Sequence, residues 1–164
     1  MSKDKISVEA VSQFLYREAR FLDDEEWDNW LTCYAPSASF WMPAWDDFDK
    51  LTEDPQSEIS LIYYPDRQGL EDRVFRIKTE RSSATMPDTR TCHNIANVEI
   101  VAVDGNQATV RFNWNTLSFR YKTNYSYFGM SRYVIDFSGA PQILSKYVVL
   151  KNDYINQVID IYHI

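Results

Sequence analysis

The sequence predicts an α+β domain in which N-terminal helices pack within a strongly curved, mainly antiparallel sheet. Three observations carry that expectation. Apolar residues recur at three- and four-residue steps over the early part of the chain, then alternate in long runs from about residue 90 onward. The alternation changes phase inside one of those runs, which calls for a bulge and so for a bent sheet. Helices followed by a meander of long strands bury their apolar faces together in just this architecture.

The elements follow in order. Val8, Val11, Leu15, Ala19 and Leu22 share one face of a first helix, with Ser7 as its N-cap and Glu9 in its positive first turn. A second helix is expected next. Asp23 caps it, Glu26 reaches back, and Trp27, Trp30, Leu31 and Tyr34 give its apolar stripe until Pro36 stops it. Ser39 to Met42 is a short aromatic strand ended by Pro43, and Ile59, Leu61 and Tyr63 alternate in another, closed by Pro65. Residues 44–58 between them form an exposed loop long enough to be functional. After Gly69 a third helix runs from Leu70 to about Lys78, with Leu70, Val74 and Ile77 on one side, and residues 82–89 form a loop containing Pro87.

The remaining chain is nearly all strand: Thr91–Val103, Ala108–Lys122, Tyr125–Phe137, Gln142–Lys151 and Tyr154–Ile164. Asp104-Gly105-Asn106 reads as a hairpin turn, because Asp-Gly suits positive φ. Ser138 to Pro141 makes a second connection. Val110, Phe112 and Trp114 alternate with one parity, Leu117, Phe119 and Tyr121 with the other. The bulge is therefore expected near Asn115-Thr116.

A length of 164 residues suits one domain, 1–164. Hydrophobic residues at 45% and aromatics at 15% exclude a disordered chain. A net charge of −7 without a basic tail argues against nucleic acid as a partner. No apolar run is long enough for a membrane span, and the opening MSKDKISVEA lacks the apolar core of a signal peptide. With two cysteines a disulfide framework is excluded, so a cytoplasmic location is expected. Residues 1–58 hold 14 acidic and five basic side chains. Much of the excess lies in Asp23 to Glu26 and Asp46 to Asp49, both read as solvated edges.

Motifs for chemistry are scarce. Four glycines could hardly build a nucleophile elbow, a Walker loop or a dinucleotide fingerprint. The stock of soft metal ligands is Cys33, Cys92, His93 and His163, without paired spacing, and neighbouring strand residues such as Cys92 and His93 face opposite ways. No metal, cofactor or catalytic residue is expected on this chain. Cys33 reads as a small buried hydrophobe, and His93 either as a satisfied strand residue or as a hydrogen-bonding contact. One stretch stands out. Arg67, Arg73, Arg76, Lys78, Arg81 and Arg90 place six of the 17 bases within 24 residues, just after Tyr63, Tyr64 and Pro65. A solvated helix face would account for it. So would a protein interface, where guanidinium groups pair with carboxylates and stack on rings.

Three segments carry a resemblance. Phe14-Leu15-Tyr16-Arg17-Glu18-Ala19 with Trp27 and Trp30, Leu70-Glu71-Asp72-Arg73-Val74 with Arg76-Ile77, and Pro87-Asp88-Thr89-Arg90-Thr91-Cys92-His93-Asn94-Ile95-Ala96-Asn97-Val98 occur together in order. In this the chain resembles the small (beta) subunit of aromatic-ring-hydroxylating dioxygenases, the Rieske non-haem iron oxygenases. Ser39 to Asp47, which includes Trp45, and Asn152 to Ile164 look most like the benzoate/toluate 1,2-dioxygenase branch. The resemblance implies a cone-like fold of the nuclear-transport-factor-2-like kind. It also implies a Rieske [2Fe-2S] cluster and a mononuclear Fe(II) on a separate large (alpha) subunit, a hexamer of three large and three small subunits, self-association into a trimer, an NADH-dependent reductase and a cis-dihydrodiol product. Arg67, Arg73, Arg76, Arg81, Arg90, His93, Tyr63, Tyr64 and Trp45 become the expected interface residues. Two other readings share the fold: a stand-alone isomerase or dehydratase using Asp46, Tyr34 and His93, and a ligand-binding module without catalysis.

Overall fold

A computed structural model describes residues 6–83, 88–152 and 159–164, with the side chains of residues 81–83 excepted. Helix α1, Val8–Asp23, starts as expected: the Ser7 hydroxyl accepts from the Ala10 N–H at 3.1 Å, satisfying one of the donors that a helix start leaves unpaired. Val11, Phe14, Leu15, Ala19 and Leu22 are buried on one face, while Val8 is exposed. The acidic run does not form the expected capping box. Asp23 ends α1, and the short helix α2, Trp27–Leu31, starts from Glu26 without a side-chain cap. Trp27 and Trp30 are buried as read, but Tyr34 already lies in a strand, so Pro36 does not end a helix.

Strand β1, Tyr34–Pro43, pairs antiparallel with β2, Ser60–Tyr64. Helix α3, Arg67–Ser83, is longer at both ends than the expected 70–78. Gly69 lies inside it, directly beneath the Tyr64 ring, where a Cβ would collide with that ring. Close approach, not a helix start, explains this glycine. The meander follows as β3 (Arg90–Asp104), β4 (Gln107–Arg120), β5 (Thr123–Asp136) and β6 (Gln142–Leu150).

The sheet order is β2-β1-β6-β5-β4-β3, with β1 and β6 parallel and every other pair antiparallel. The sheet is curved and unclosed, with α1 against β3 and α3 against β1. One core fills the concavity, from Leu15 and Trp30 to Phe112 and Ile135. The α+β class and the curved sheet are as predicted.

The bulge is not where the parity change placed it. Strands β4 and β5 pair without interruption from Gln107↔Asp136 to Arg120↔Thr123. The register shifts lie in β3, between Ala96 and Glu99 and between Ile100 and Ala102, next to left-handed Asn97 at φ 55°. Strand β4 keeps one parity throughout: Ala108, Val110, Phe112, Trp114, Thr116 and Ser118 face inward and are buried. Leu117 and Phe119 therefore point outward. Gly105 turns the β3–β4 hairpin at φ 58°, as read, but Tyr121 and Lys122, at φ 53° and 59°, turn the next one where no Asn-Gly signal exists.

The final strand expected over Tyr154–Ile164 is not formed at its end. Ile161–His163 is a 3-10 turn capped by Asp160, with Ile159, Ile161 and Ile164 buried in the core. The earlier part of that expected strand, and residues 84–87 of the expected 82–89 loop, Pro87 among them, lie outside the described residues, while residues 82 and 83 belong to α3 and not to a loop.

Candidate subunit interface

The clustered bases separate into two sets. Arg67 and Arg73 are engaged within the chain. Arg67 donates from Nε to Glu71 Oε1 and from a terminal nitrogen to the Tyr34 carbonyl, both at 2.9 Å, fastening α3 to β1. Arg73 forms a forked ion pair with Asp160 and lies 3.6 Å from Glu80. Because Asp160 caps the last turn, Arg73 anchors the C-terminal segment to α3. Lys78 pairs with Asp28 at 2.6 Å. By contrast Arg76 and Arg90 are exposed, and Arg90 stands 5.9 Å from the centre of the Phe119 ring. The Arg81 side chain lies outside the described residues.

The aromatic candidates are half-buried. Tyr63 accepts from Gln56 Nε2 at 3.3 Å. Tyr64 covers Gly69 and meets Phe40 edge-on, with centroids 6.3 Å apart, so it packs α3 onto the sheet. Trp45 donates from Nε1 to the Leu150 carbonyl at 2.6 Å, which pins the 44–58 loop across the sheet. With Trp41, Arg132 and Tyr147 it lines an open cleft of about 730 Å³.

Sequence reasoning missed the surface that follows from the unbroken parity of β4. Leu117, Phe119, Tyr121 and Phe128 are 54%, 40%, 49% and 47% exposed. Cys92, Leu117, Phe119, Arg90 and Asn124 border a second cleft, of about 380 Å³, at one end of β3, β4 and β5. Register explains the grouping: Cys92 faces Leu117, Arg90 faces Phe119, and Asn115 faces Phe128. Read as an outward run instead of a bulge, the same apolar alternation would have revealed it. Contiguous apolar surface with an arginine on it has the composition of an interface core.

His93 belongs to the interior. Its Nδ1 lies 2.5 Å from Asp23 Oδ1, and Asp23 also accepts from the His93 N–H at 3.0 Å and the Thr91 hydroxyl at 2.9 Å. Burial alone would raise the Asp23 pKa, but these bonds and the imidazole charge outweigh it and lower the value. A second cluster lies deeper. Glu18 and Lys146, 2% and 1% exposed, pair at 3.2 Å. The same Glu18 oxygen accepts from Trp30 Nε1 at 3.1 Å and the Tyr34 hydroxyl at 2.7 Å. Lys146 Nζ stands 4.8 Å from the Phe40 ring centre and 5.3 Å from that of Tyr133. Burial lowers the lysine pKa, against the pull of Glu18, and raises that of Tyr34. Cys33 is buried beside this cluster, as read, and its thiol is pushed up to about 12 by burial.

Asp46, Tyr34 and His93 do not form one constellation. Asp46 is exposed and its Oδ1 accepts from the Phe48 and Lys50 N–H groups of its own turn; Tyr34 is bound to Glu18 and His93 to Asp23. The residues present do not fit an iron or iron–sulfur group either. Among the described residues no three His, Cys, Asp or Glu side chains come together as ligands, and no helix is long and apolar enough to cross a membrane.

A curved, unclosed sheet enclosing helices, with an arginine-bearing apolar surface on its outer face, defines a cone-like α+β domain. Comparison with known proteins narrows this. The pattern described as "Ring hydroxylating beta subunit" matches residues 17–157, and the chain belongs to that family. It is 83% identical over 162 residues to the benzoate 1,2-dioxygenase subunit beta of Acinetobacter baylyi, covering 98% of this chain and 96% of that protein. It is 62% identical to the toluate 1,2-dioxygenase subunit beta of Pseudomonas putida, covering 97% and 99%. The crystal structure of the benzoate 1,2-dioxygenase beta subunit from Burkholderia mallei superposes with a TM-score of 0.87 at 67% identity, covering 98% and 99%. The resemblance to the benzoate/toluate branch and the nuclear-transport-factor-2-like fold are as the sequence predicted.

Proposed function

We propose that this chain is the small subunit of the terminal oxygenase of a benzoate/toluate-type aromatic carboxylate 1,2-dioxygenase, a cytoplasmic complex that forms cis-dihydrodiols. The observation that carries the reading is the 83% identity along nearly the whole chain to a protein named benzoate 1,2-dioxygenase subunit beta. In this reading the Rieske [2Fe-2S] cluster and the mononuclear Fe(II) belong to the large subunit, and an NADH-dependent reductase supplies electrons. Three small subunits associate and brace three large ones in a hexamer, contributing surface and no catalytic group.

The geometry supports a division of labour among the candidate contacts. Arg76 and Arg90, with Leu117, Phe119 and Phe128, reach solvent and can meet a partner. Arg67, Arg73, Tyr64 and Trp45 shape the interface from behind, because their polar or apolar contacts lie within the chain. Tyr63 and Arg81 complete the proposed set, with His93, buried against Asp23, supporting it from within.

Co-production with the large subunit of a benzoate-type dioxygenase tests the reading. Arg90→Glu combined with Leu117→Asp should cut co-purification at least ~tenfold, since a buried unpaired charge costs several kcal/mol at an interface. The isolated chain should show no iron–sulfur absorption and no oxidation of benzoate. Full assembly by the double variant would remove this face from the interface, and turnover by the isolated chain would end the non-catalytic role.

A further inference from the structure

The 44–58 loop carries a tip that the chain itself does not cover. Phe48 is 82% exposed, more than any other large hydrophobic side chain among the described residues. Asp47 and Asp49 flank it, both exposed. The tip is nevertheless fixed. Asp46 Oδ1 accepts from the Phe48 and Lys50 N–H groups, both at 2.9 Å, and the Asp46 N–H donates to the Lys50 carbonyl at 2.7 Å. Trp45, just before the tip, is tied to the Leu150 carbonyl. A ring held out in water on a fixed turn gives up little freedom when another surface covers it, so most of its burial counts toward binding.

The cleft at the end of β3, β4 and β5 has the complementary chemistry. Cys92, Leu117 and Phe119 line about 380 Å³ of open space, with Arg90 at its border. Arg90 is exposed, and none of the ion pairs among the described residues uses it. A phenyl ring suits the apolar lining, and a carboxylate beside that ring meets the guanidinium. The tip of the same chain does not reach this cleft. Asp49 lines the other cleft together with Arg132, and Arg132 stands eight positions along β5 from Asn124, which borders this one. At the rise of a strand that is roughly 26 Å. Only another molecule can bring a tip to it.

We propose that copies of this chain join head to tail, the Phe48 ring of one seated in the Leu117–Phe119 cleft of the next, with Asp47 on Arg90. This contact rests on the self-association proposed above and supplies the surfaces for it. Tip and cleft are different surfaces, so each copy offers one of each, and such contacts close into a ring when the rotation per step allows. The distribution of charge agrees with that direction. Residues 1–58, which include the tip, hold 14 acidic and five basic side chains, whereas residues 59–164, which include the cleft, hold ten acidic and 12 basic.

Cys33 is buried and Cys92 is exposed on the cleft, so Cys92 is a built-in receptor for a thiol placed on the tip. Phe48→Cys, and Asp47→Cys, which keeps the ring, should each give disulfide-linked dimers and trimers on a non-reducing gel when the full chain is oxidised with copper phenanthroline. Adding Cys92→Ser should abolish that ladder, and co-production with the large subunit should preserve it. No ladder from either variant, a ladder that survives Cys92→Ser, or a product containing the large subunit would overturn the contact. Sedimentation gives a readout without new thiols. Arg90→Glu or Asp47→Arg should weaken self-association at least ~tenfold, and the two together should restore it. Loss without restoration, or a wild-type chain that stays monomeric at millimolar concentration, would equally overturn it. A chain that self-associates in this way but never co-purifies with the large subunit would instead end the reading as a dioxygenase subunit.

Discussion

A single carboxylate organises the deepest part of the molecule. Glu18 sits on the buried face of α1 at a position where helical periodicity alone asks for an apolar residue. It is tolerated because Trp30, Tyr34 and Lys146 all bring donors to it. Removing one member leaves the others charged or polar without compensation. Lys146→Met alone should cost about 3 kcal/mol, as should Glu18→Leu, whereas the double variant should recover most of the loss, because the unpaired ion and not the missing bridge carries the penalty. Urea unfolding of the three variants measures it; additive losses would contradict a coupled pair. This cluster was not legible in the sequence. Glu18 and Lys146 are 128 positions apart, and the parallel seating of β1 beside β6 is what brings Lys146 opposite Phe40.

At the scale of elements, local signals were reliable where they were self-contained. Ser7 capped its helix, Gly105 turned its hairpin, and the apolar stripe of Leu70, Val74 and Ile77 was buried as read. They failed where a residue answered to something distant. Asp23 resembled a cap but serves Thr91 and His93 on β3. The run Leu117, Phe119, Tyr121 resembled a shifted inner face but faces outward. The turn at Tyr121 and Lys122 is a further case. Both residues hold positive φ, which costs a side-chain-bearing residue about 1–2 kcal/mol. Replacing the pair with Asn-Gly should stabilise the chain by about 1 kcal/mol and raise Tm by about 2–4 °C. Calorimetry checks this; an unchanged Tm would mean that Tyr121 returns in packing what its backbone costs.

Taken as a whole, the molecule is tied at both ends by titratable groups. Asp23 joins α1 to β3, and His163 closes the last turn over Tyr127. Protons bind the unfolded chain more readily at both, so stability falls as acid is added. His163 keeps its contribution above its ordinary value near 6.5 and loses it as pH falls toward about 4. Asp23, held below 3.8, adds its loss at lower pH still. Tm measured against pH should therefore decline from about pH 6.5 downward, and His163→Asn should flatten the upper part of that decline. The fold class and the family were open to sequence reasoning, since periodicity and ordered motifs are properties of the chain itself. The exposed apolar patch and the buried polar row were not, because each depends on which side of β4 a residue takes.

That same β3 strand, bent twice along its length and bordered by β4 alone, has one consequence for the newly made polypeptide. Its outer rim has an interrupted spacing, and the His93 N–H on it is already taken by Asp23, so another extended chain cannot zip onto it over any great length. The bends thereby hinder edge-to-edge stacking of one free chain on another.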